Sequence, residues 1–174
     1  MILLDPELEP DRARTAKVAG RRTAARPGKR TNAKTERIPS ARTLARFLRE
    51  AQAAVQLRGK VSVLLTSDTG IRRLNRQFRG KDKATDVLSF PAGGPAAGEI
   101  AGDLAISVPT ARRQAAAHGH SLSTEIKILV LHGLLHLAGY DHETDDGAMA
   151  RRELRLRARL GLPQGLIERA GELV

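Results

Sequence analysis

Three of the five histidines in this 174-residue chain, His132, His136 and His142, fall within one short stretch, HGLLHLAGYDH. His132 and His136 are four residues apart in an apolar run that begins near Thr124. On a helix, both imidazoles would therefore leave the same face about one turn apart. Gly139 fits the position that ends such a helix, where a left-handed backbone costs a glycine nothing. Beyond that bend the chain can return and present His142 to the same point. Three imidazole nitrogens leave the fourth position of a tetrahedral zinc open, which is the arrangement of a catalytic ion rather than a structural one.

The spacing His-x3-His-x5-His, with a glycine between the last two, is that of the extended zinc-protease signature, with one difference. That signature carries Glu directly after its first His as the general base; here the position is Gly133. The ligand set is present and the protease's base is missing. The structural alternative is that these are ordinary histidines of a buried helix. For a single His that alternative would be favoured, but three at this spacing, with a terminating glycine in register, favour a metal site.

The rest of the chain narrows the chemistry. Without cysteine there is no disulfide, no Cys-based zinc site and no thiol nucleophile, in keeping with a reducing compartment. Aromatics are only 2% of the chain, so the core must be built from Leu, Val, Ile and Ala. Residues 1–5 lack the basic leader and apolar length of a signal peptide, and no apolar run approaches the ~20 residues of a membrane span. A soluble, cytoplasmic protein with no membrane partner is expected. Neither GxGxxG nor a Walker loop occurs, so no nucleotide cofactor is expected.

The net charge of +11 is concentrated. Residues 11–37 hold ten Lys/Arg against Asp11 and Glu36, a local +8, whereas residues 38–174 contribute +6 and residues 1–10 contribute −3. Poor in large apolar residues, the 11–37 stretch is read as a disordered basic insertion within a single domain spanning 1–174. It is either an arm that attracts RNA through phosphate contacts or a solvated segment with no specific role.

Strands and helices mix without a regular βαβ rhythm, which predicts an α+β fold: a small mixed sheet surrounded by about five helices. Residues 2–8 read as a first strand. Ser40 caps a helix with Leu44, Phe47, Leu48, Ala51 and Val55 inward, ended by Gly59. Residues 60–66 alternate as a strand. A helix from Ser67 and Asp68 to Phe78 would bury Ile71, Leu74 and Phe78 and carry Arg72, Arg76 and Arg79 on another face. Arg72 and Arg76 suit a solvated face. Arg79 ends the helix beside the 80–86 loop, where its guanidinium can meet a phosphate. Residues 87–90, closed by Pro91, and residues 99–108 read as strands. Pro109 and Thr110 open a helix to about Ala117, and Ser121 or Ser123 caps the histidine helix. His118 and His120 read as loop residues. Asp145 and Asp146 cap a last helix with Met149, Leu156 and Leu160 inward.

Taken in order, LNRQFRGKDK (74–83), TDVLSFP (85–91), GDLAIS (102–107) and HGLLHLAGYDH (132–142) closely resemble the YbeY family of bacterial metal-dependent endoribonucleases, the ribosomal RNA maturation factors. The resemblance covers about residues 38–160. It implies a zincin-like α+β fold and one zinc ion (Zn2+) on His132, His136 and His142. It also implies cleavage of single-stranded RNA, in 3′ end maturation of small-subunit ribosomal RNA and in ribosome quality control, with the ribosome as partner. The family's functionally required arginine falls on Arg79. The departure is the 11–37 stretch, which looks like an insertion after the first strand.

A three-His metal with an open position can polarise a phosphoryl oxygen and lower the pKa of a bound water. A fixed guanidinium stabilises the charge that gathers on the non-bridging oxygens, and Arg79 is the candidate. RNA also carries its own nucleophile in the 2′-hydroxyl, so a missing Glu matters less than it would to a protease. Asp141 and Asp86 each either orient a ligand His or act as base, or form a turn cap or a surface ion pair. Two other classes compete with the nuclease. One is a metal-dependent peptidase or other hydrolase with a carboxylate from elsewhere in the chain. The other is a non-catalytic ribosome assembly factor with a structural metal. Imidazole ligands also suit nickel and copper.

Overall fold

The computed structural model describes residues 1–8, 37–93, 98–141 and 145–164. The 11–37 stretch, apart from Arg37, lies outside the described residues, as does His142. Four strands, β1 (Ile2–Leu4), β2 (Lys60–Thr66), β3 (Val87–Pro91) and β4 (Ile100–Ser107), form one mixed sheet in the order β1-β2-β4-β3. The first three in that order are parallel, and β3 runs antiparallel to β4 on the edge. The helices are α1 (Ala41–Val55), α2 (Asp68–Arg79), α3 (Val108–His118), α4 (Leu122–Leu137) and α5 (Ala148–Arg159). The α+β fold expected from the sequence is the one observed.

The two-residue alternation of β2 and β4 divides the apolar residues between two faces. Val61, Val63, Leu65, Leu104 and Ile106 enter the main core with α1, α4 and α5. Leu64, Leu88, Phe90 and Ala105 face the other way, against Ile71 and Leu74 of α2. The sheet therefore separates α2 from α4. Helix α4 is buried around most of its circumference, from Leu122 to Leu135, which is why its sequence is apolar rather than amphipathic.

Serine hydroxyls set the helix starts. Ser40, Ser67, Ser107 and Ser121 each accept a first-turn N–H, from Thr43, Gly70, Thr110 and Thr124. Each such cap is worth about 1 kcal/mol against alanine. Asp68 adds a tie between helices: its carboxylate accepts from Thr110 Oγ1 at 2.7 Å, from Arg113 at 3.0 Å and from Ser107 Oγ.

Several boundaries differ from the sequence reading. The first strand stops at Leu4, because Pro6 has no amide for the ladder and Asp5 Oδ1 accepts the Glu7 N–H at 3.0 Å, turning residues Pro6–Leu8 into a 3-10 turn. Helix α1 ends before Gly59, with Gln56 itself left-handed at φ 68°. The residue before α5 is Gly147, and Asp145 reaches over it to accept the N–H groups of Gly147 at 3.1 Å and Met149 at 2.8 Å. His118 closes α3 rather than lying in a loop, and His120 pairs with Glu125, which is fully buried on α4. The helical period puts Phe78 on the buried face of α2, yet it is 60% exposed. Phe78 meets the sheet only at its edge strand, where its ring lies edge-on to Phe90 of β3. Among the described residues, no helix is long and apolar enough to cross a membrane.

Candidate metal centre

Helix α4 delivers His132 and His136 from one face, as their spacing requires, and both rings are half-buried. Its end is a full glycine-terminated turn: the Gly139 N–H donates to the His136 carbonyl and the Tyr140 N–H to the Leu135 carbonyl, each at 3.0 Å. Gly139 supplies the left-handed residue at φ 89°, so the chain turns back at the position expected.

The two rings meet at an interplanar angle of 73°, with their Nε2 atoms 3.2 Å apart. Two imidazole nitrogens on one tetrahedral zinc, each at about 2.0–2.1 Å, would lie about 3.3 Å from one another. The pair is thus already spaced as two corners of such a site. Behind it, Glu153 of α5 places Oε2 2.9 Å from His132 Nδ1, while its other oxygen takes the Arg157 guanidinium one turn further on. Burial works against the charge on Glu153, but the His132 and Arg157 donors outweigh it and hold the carboxyl down at about 2. An ionised carboxylate only accepts, so Nδ1 of His132 carries the proton and, in the neutral ring, Nε2 keeps its lone pair. That tautomer is the one a metal needs, and a carboxylate behind a ligand histidine is the usual means of fixing it. The donor set therefore fits a divalent ion. Among the described residues, two imidazoles converge and no group of three His, Cys, Asp or Glu does; the third expected ligand, His142, lies outside them.

Gly133, where the protease signature has its Glu, sits directly on the sheet. A Cβ there would come within 2.7 Å of a Leu104 methyl and 3.3 Å of Ser89 Oγ. Leu104 is buried in the core and has little room to yield. Ser89 Oγ donates to the Gly133 carbonyl at 3.4 Å, tying the helix to β3 at the histidine turn. The missing carboxylate is therefore a packing requirement as well as a chemical difference.

The arginine face of α2 divides. Arg72 is held by Asp82 through two bonds of 2.8 Å each, which folds the loop back on the helix. Arg79 is exposed and makes no hydrogen bond or ion pair with any described residue, including His132 and His136. It lies across the sheet from α4, but at the same end of β3. Phe78, beside it, touches Phe90 with ring centroids 5.2 Å apart. On the other face, Leu137 of α4 packs over Gly102, the partner of Pro91. Asp86 lies at the far end of β3 and is a turn cap: its carboxylate accepts from the Val87 N–H at 2.7 Å and from Gln114 at 3.0 Å. Asp141 is exposed, immediately before His142.

Residues 29–161 match the family described as Endoribonuclease YbeY. That span contains every element of the fold except β1 and the turn after it. The chain belongs to the endoribonuclease YbeY family. It is 57% identical over 124 residues to the endoribonuclease YbeY of Solibacter usitatus, a match covering 71% of this chain and 82% of that one. With the endoribonuclease YbeY of Koribacter versatilis it shares 55% identity, over 75% of this chain and 84% of the relative. The solution structure of TM1509 from Thermotoga maritima superposes with a TM-score of 0.50 at 30% identity, covering 71% of this chain and 85% of that one.

Within this YbeY-family fold, Glu153 is the site residue that the sequence reading missed. The available signal was an i, i+4 Glu-Arg pair on a helix that otherwise reads as amphipathic, and such a pair ordinarily marks a solvated face. Glu153→Gln is expected to weaken metal binding about 10- to 100-fold, the usual cost of removing a carboxylate behind a ligand histidine. A glutamine would also turn an N–H2 toward either His132 or Arg157. Competition titration with a metal-binding dye reads the change, and an unaltered affinity would refute the role.

Proposed function

We propose that this chain is a metal-dependent endoribonuclease that cleaves single-stranded RNA, acting at the ribosome on the 3′ end of small-subunit ribosomal RNA and in ribosome quality control. The observation that carries the reading is the pair of Nε2 atoms of His132 and His136, 3.2 Å apart with Glu153 behind one of them. His142, following the Gly139 turn, is the third ligand in this reading, and the bound ion is zinc. When bound, the ion supplies Lewis acidity toward the phosphoryl oxygen and lowers the pKa of water. The chain itself does the rest. Glu153 fixes the His132 tautomer, and Gly133 lets α4 sit on β3. Arg79, which pairs with no described residue, offers a planar two-pronged donor to the charge that builds on the phosphate. A role on ribosomes implies a cytoplasmic protein.

Metal analysis of the purified protein, alongside cleavage of a structured RNA bearing one single-stranded tail, tests this reading. About one zinc per chain is expected, with cuts confined to the tail and lost on chelation. Zinc with peptide turnover and no RNA cleavage would replace the nuclease with another hydrolase.

A further inference from the structure

This chain has three Phe, one Tyr and no Trp. Phe47 is buried in the main core and Phe90 is half-buried under α2. Phe78 alone among the phenylalanines is largely exposed. A single exposed apolar residue is ordinary in itself, but three features around this one are not accounted for by chance exposure.

The ring is held in place. Its contact with Phe90 is edge-on, at 65° between planes. The helix end behind it is locked by Gly80 at φ 69°, with the Gly80 N–H donating to the Arg76 carbonyl at 3.2 Å and the Lys81 N–H to the Asn75 carbonyl at 3.3 Å. The loop that follows is pinned twice, by Asn75 Nδ2 on the Lys83 carbonyl at 2.8 Å and by the Arg72–Asp82 pair. The platform is thus pre-ordered and binding need not order it. Charge is placed beside it as well. Arg79 and Lys81, on either side of Gly80, are exposed and make no ion pair with any described residue, while Asp82 is engaged by Arg72. Finally, the ring stands at the Phe90 end of β3, the end over which the C-terminus of α4 packs from the other face.

A fixed aromatic plate flanked by cations that no described residue pairs fits a nucleobase whose phosphates pass those cations. We propose that Phe78, with Arg79 and Lys81 beside it, is a base-stacking subsite that holds single-stranded RNA at the β3 edge of the sheet. The assignment rests on the endoribonuclease reading above and adds to it how unpaired RNA is selected. Bases in a duplex are already stacked on their neighbours and offer no free face, whereas an unpaired base can be splayed onto the ring whatever its identity.

Fluorescence anisotropy with a labelled RNA oligonucleotide, 2′-O-methylated and checked for intactness after each titration, single-stranded or annealed to its complement, tests the subsite on the full-length protein. Phe78→Leu keeps an apolar cover over Phe90 and removes the plate. It should weaken single-strand binding by roughly tenfold and leave duplex binding and the salt dependence of both unchanged, since no phosphate contact is lost. Phe78→Trp, with a larger plate, should bind the single strand at least as tightly as the wild type. Wild-type affinity in Phe78→Leu, an equal loss on the duplex, or weakened binding by Phe78→Trp would each overturn the subsite, and a wild type that still cleaves RNA would leave the nuclease reading intact. A wild type that neither cleaves nor binds RNA would overturn both.

Discussion

Replacing His136 with alanine should strip the protein of its metal and lower RNA cleavage by at least about 10³, since the chemistry then rests on binding and Arg79 alone. The Nε2 atoms of His132 and His136 already stand 3.2 Å apart, so in the proposed centre each would supply one corner, and neither has a substitute among the described residues. His132→Ala should have the same effect on metal and activity, but it also takes a donor from the buried Glu153, leaving that carboxylate to Arg157. Loss of one partner from a buried ionic group is costly to folding. His136→Ala keeps the His132–Glu153 bond and is the cleaner variant. His142→Ala belongs to the same series. Atomic absorption on the folded variants, checked by circular dichroism, decides the matter; stoichiometric zinc in all three would remove the site from these histidines.

Arg79→Lys should slow cleavage by about 10²–10³, the loss that follows removal of one donor to developing charge, with metal content and RNA affinity close to normal. Lysine keeps the charge and loses the planar fork that matches a phosphate. The neighbouring arginines serve as controls, and the structure sharpens their use. Arg72 is already committed to Asp82, an exposed pair that contributes little, so Arg72→Lys should leave the rate nearly unchanged, as should Arg76→Lys. Single-turnover cleavage at saturating enzyme separates the cases. Equal, small losses in all three variants would make Arg79 one surface charge among several.

Those parts of the centre that are local in sequence are legible from the residues themselves. The His132–His136 spacing, the Ser121 cap and the left-handed Gly139 each depend on a few consecutive residues and on one helical period. Glu153 is not legible in this way, because its meaning comes from α5 lying against α4, and nothing in residues 148–159 announces that packing. The same holds for His120, which reads as a loop residue and pairs with the buried Glu125 of α4. Phe78 shows the converse error. The helical period places it with Ile71 and Leu74, correctly as to angle, but periodicity carries no information on how much of that face the sheet covers. That depends on the strand order, which puts β3, the strand Phe78 touches, at the edge.

The seat of Gly133 on Leu104 and Ser89 bears on which neighbouring chemistries this scaffold can reach by mutation. A peptidase-like glutamate at that position is one amino acid away on paper, and the histidine spacing would accept it. In the folded protein its Cβ would stand 2.7 Å from a Leu104 methyl, so either that buried side chain or α4 itself would have to shift. The close seat of α4 on the sheet, as well as the chemistry of the histidines, therefore weighs against a glutamate at position 133.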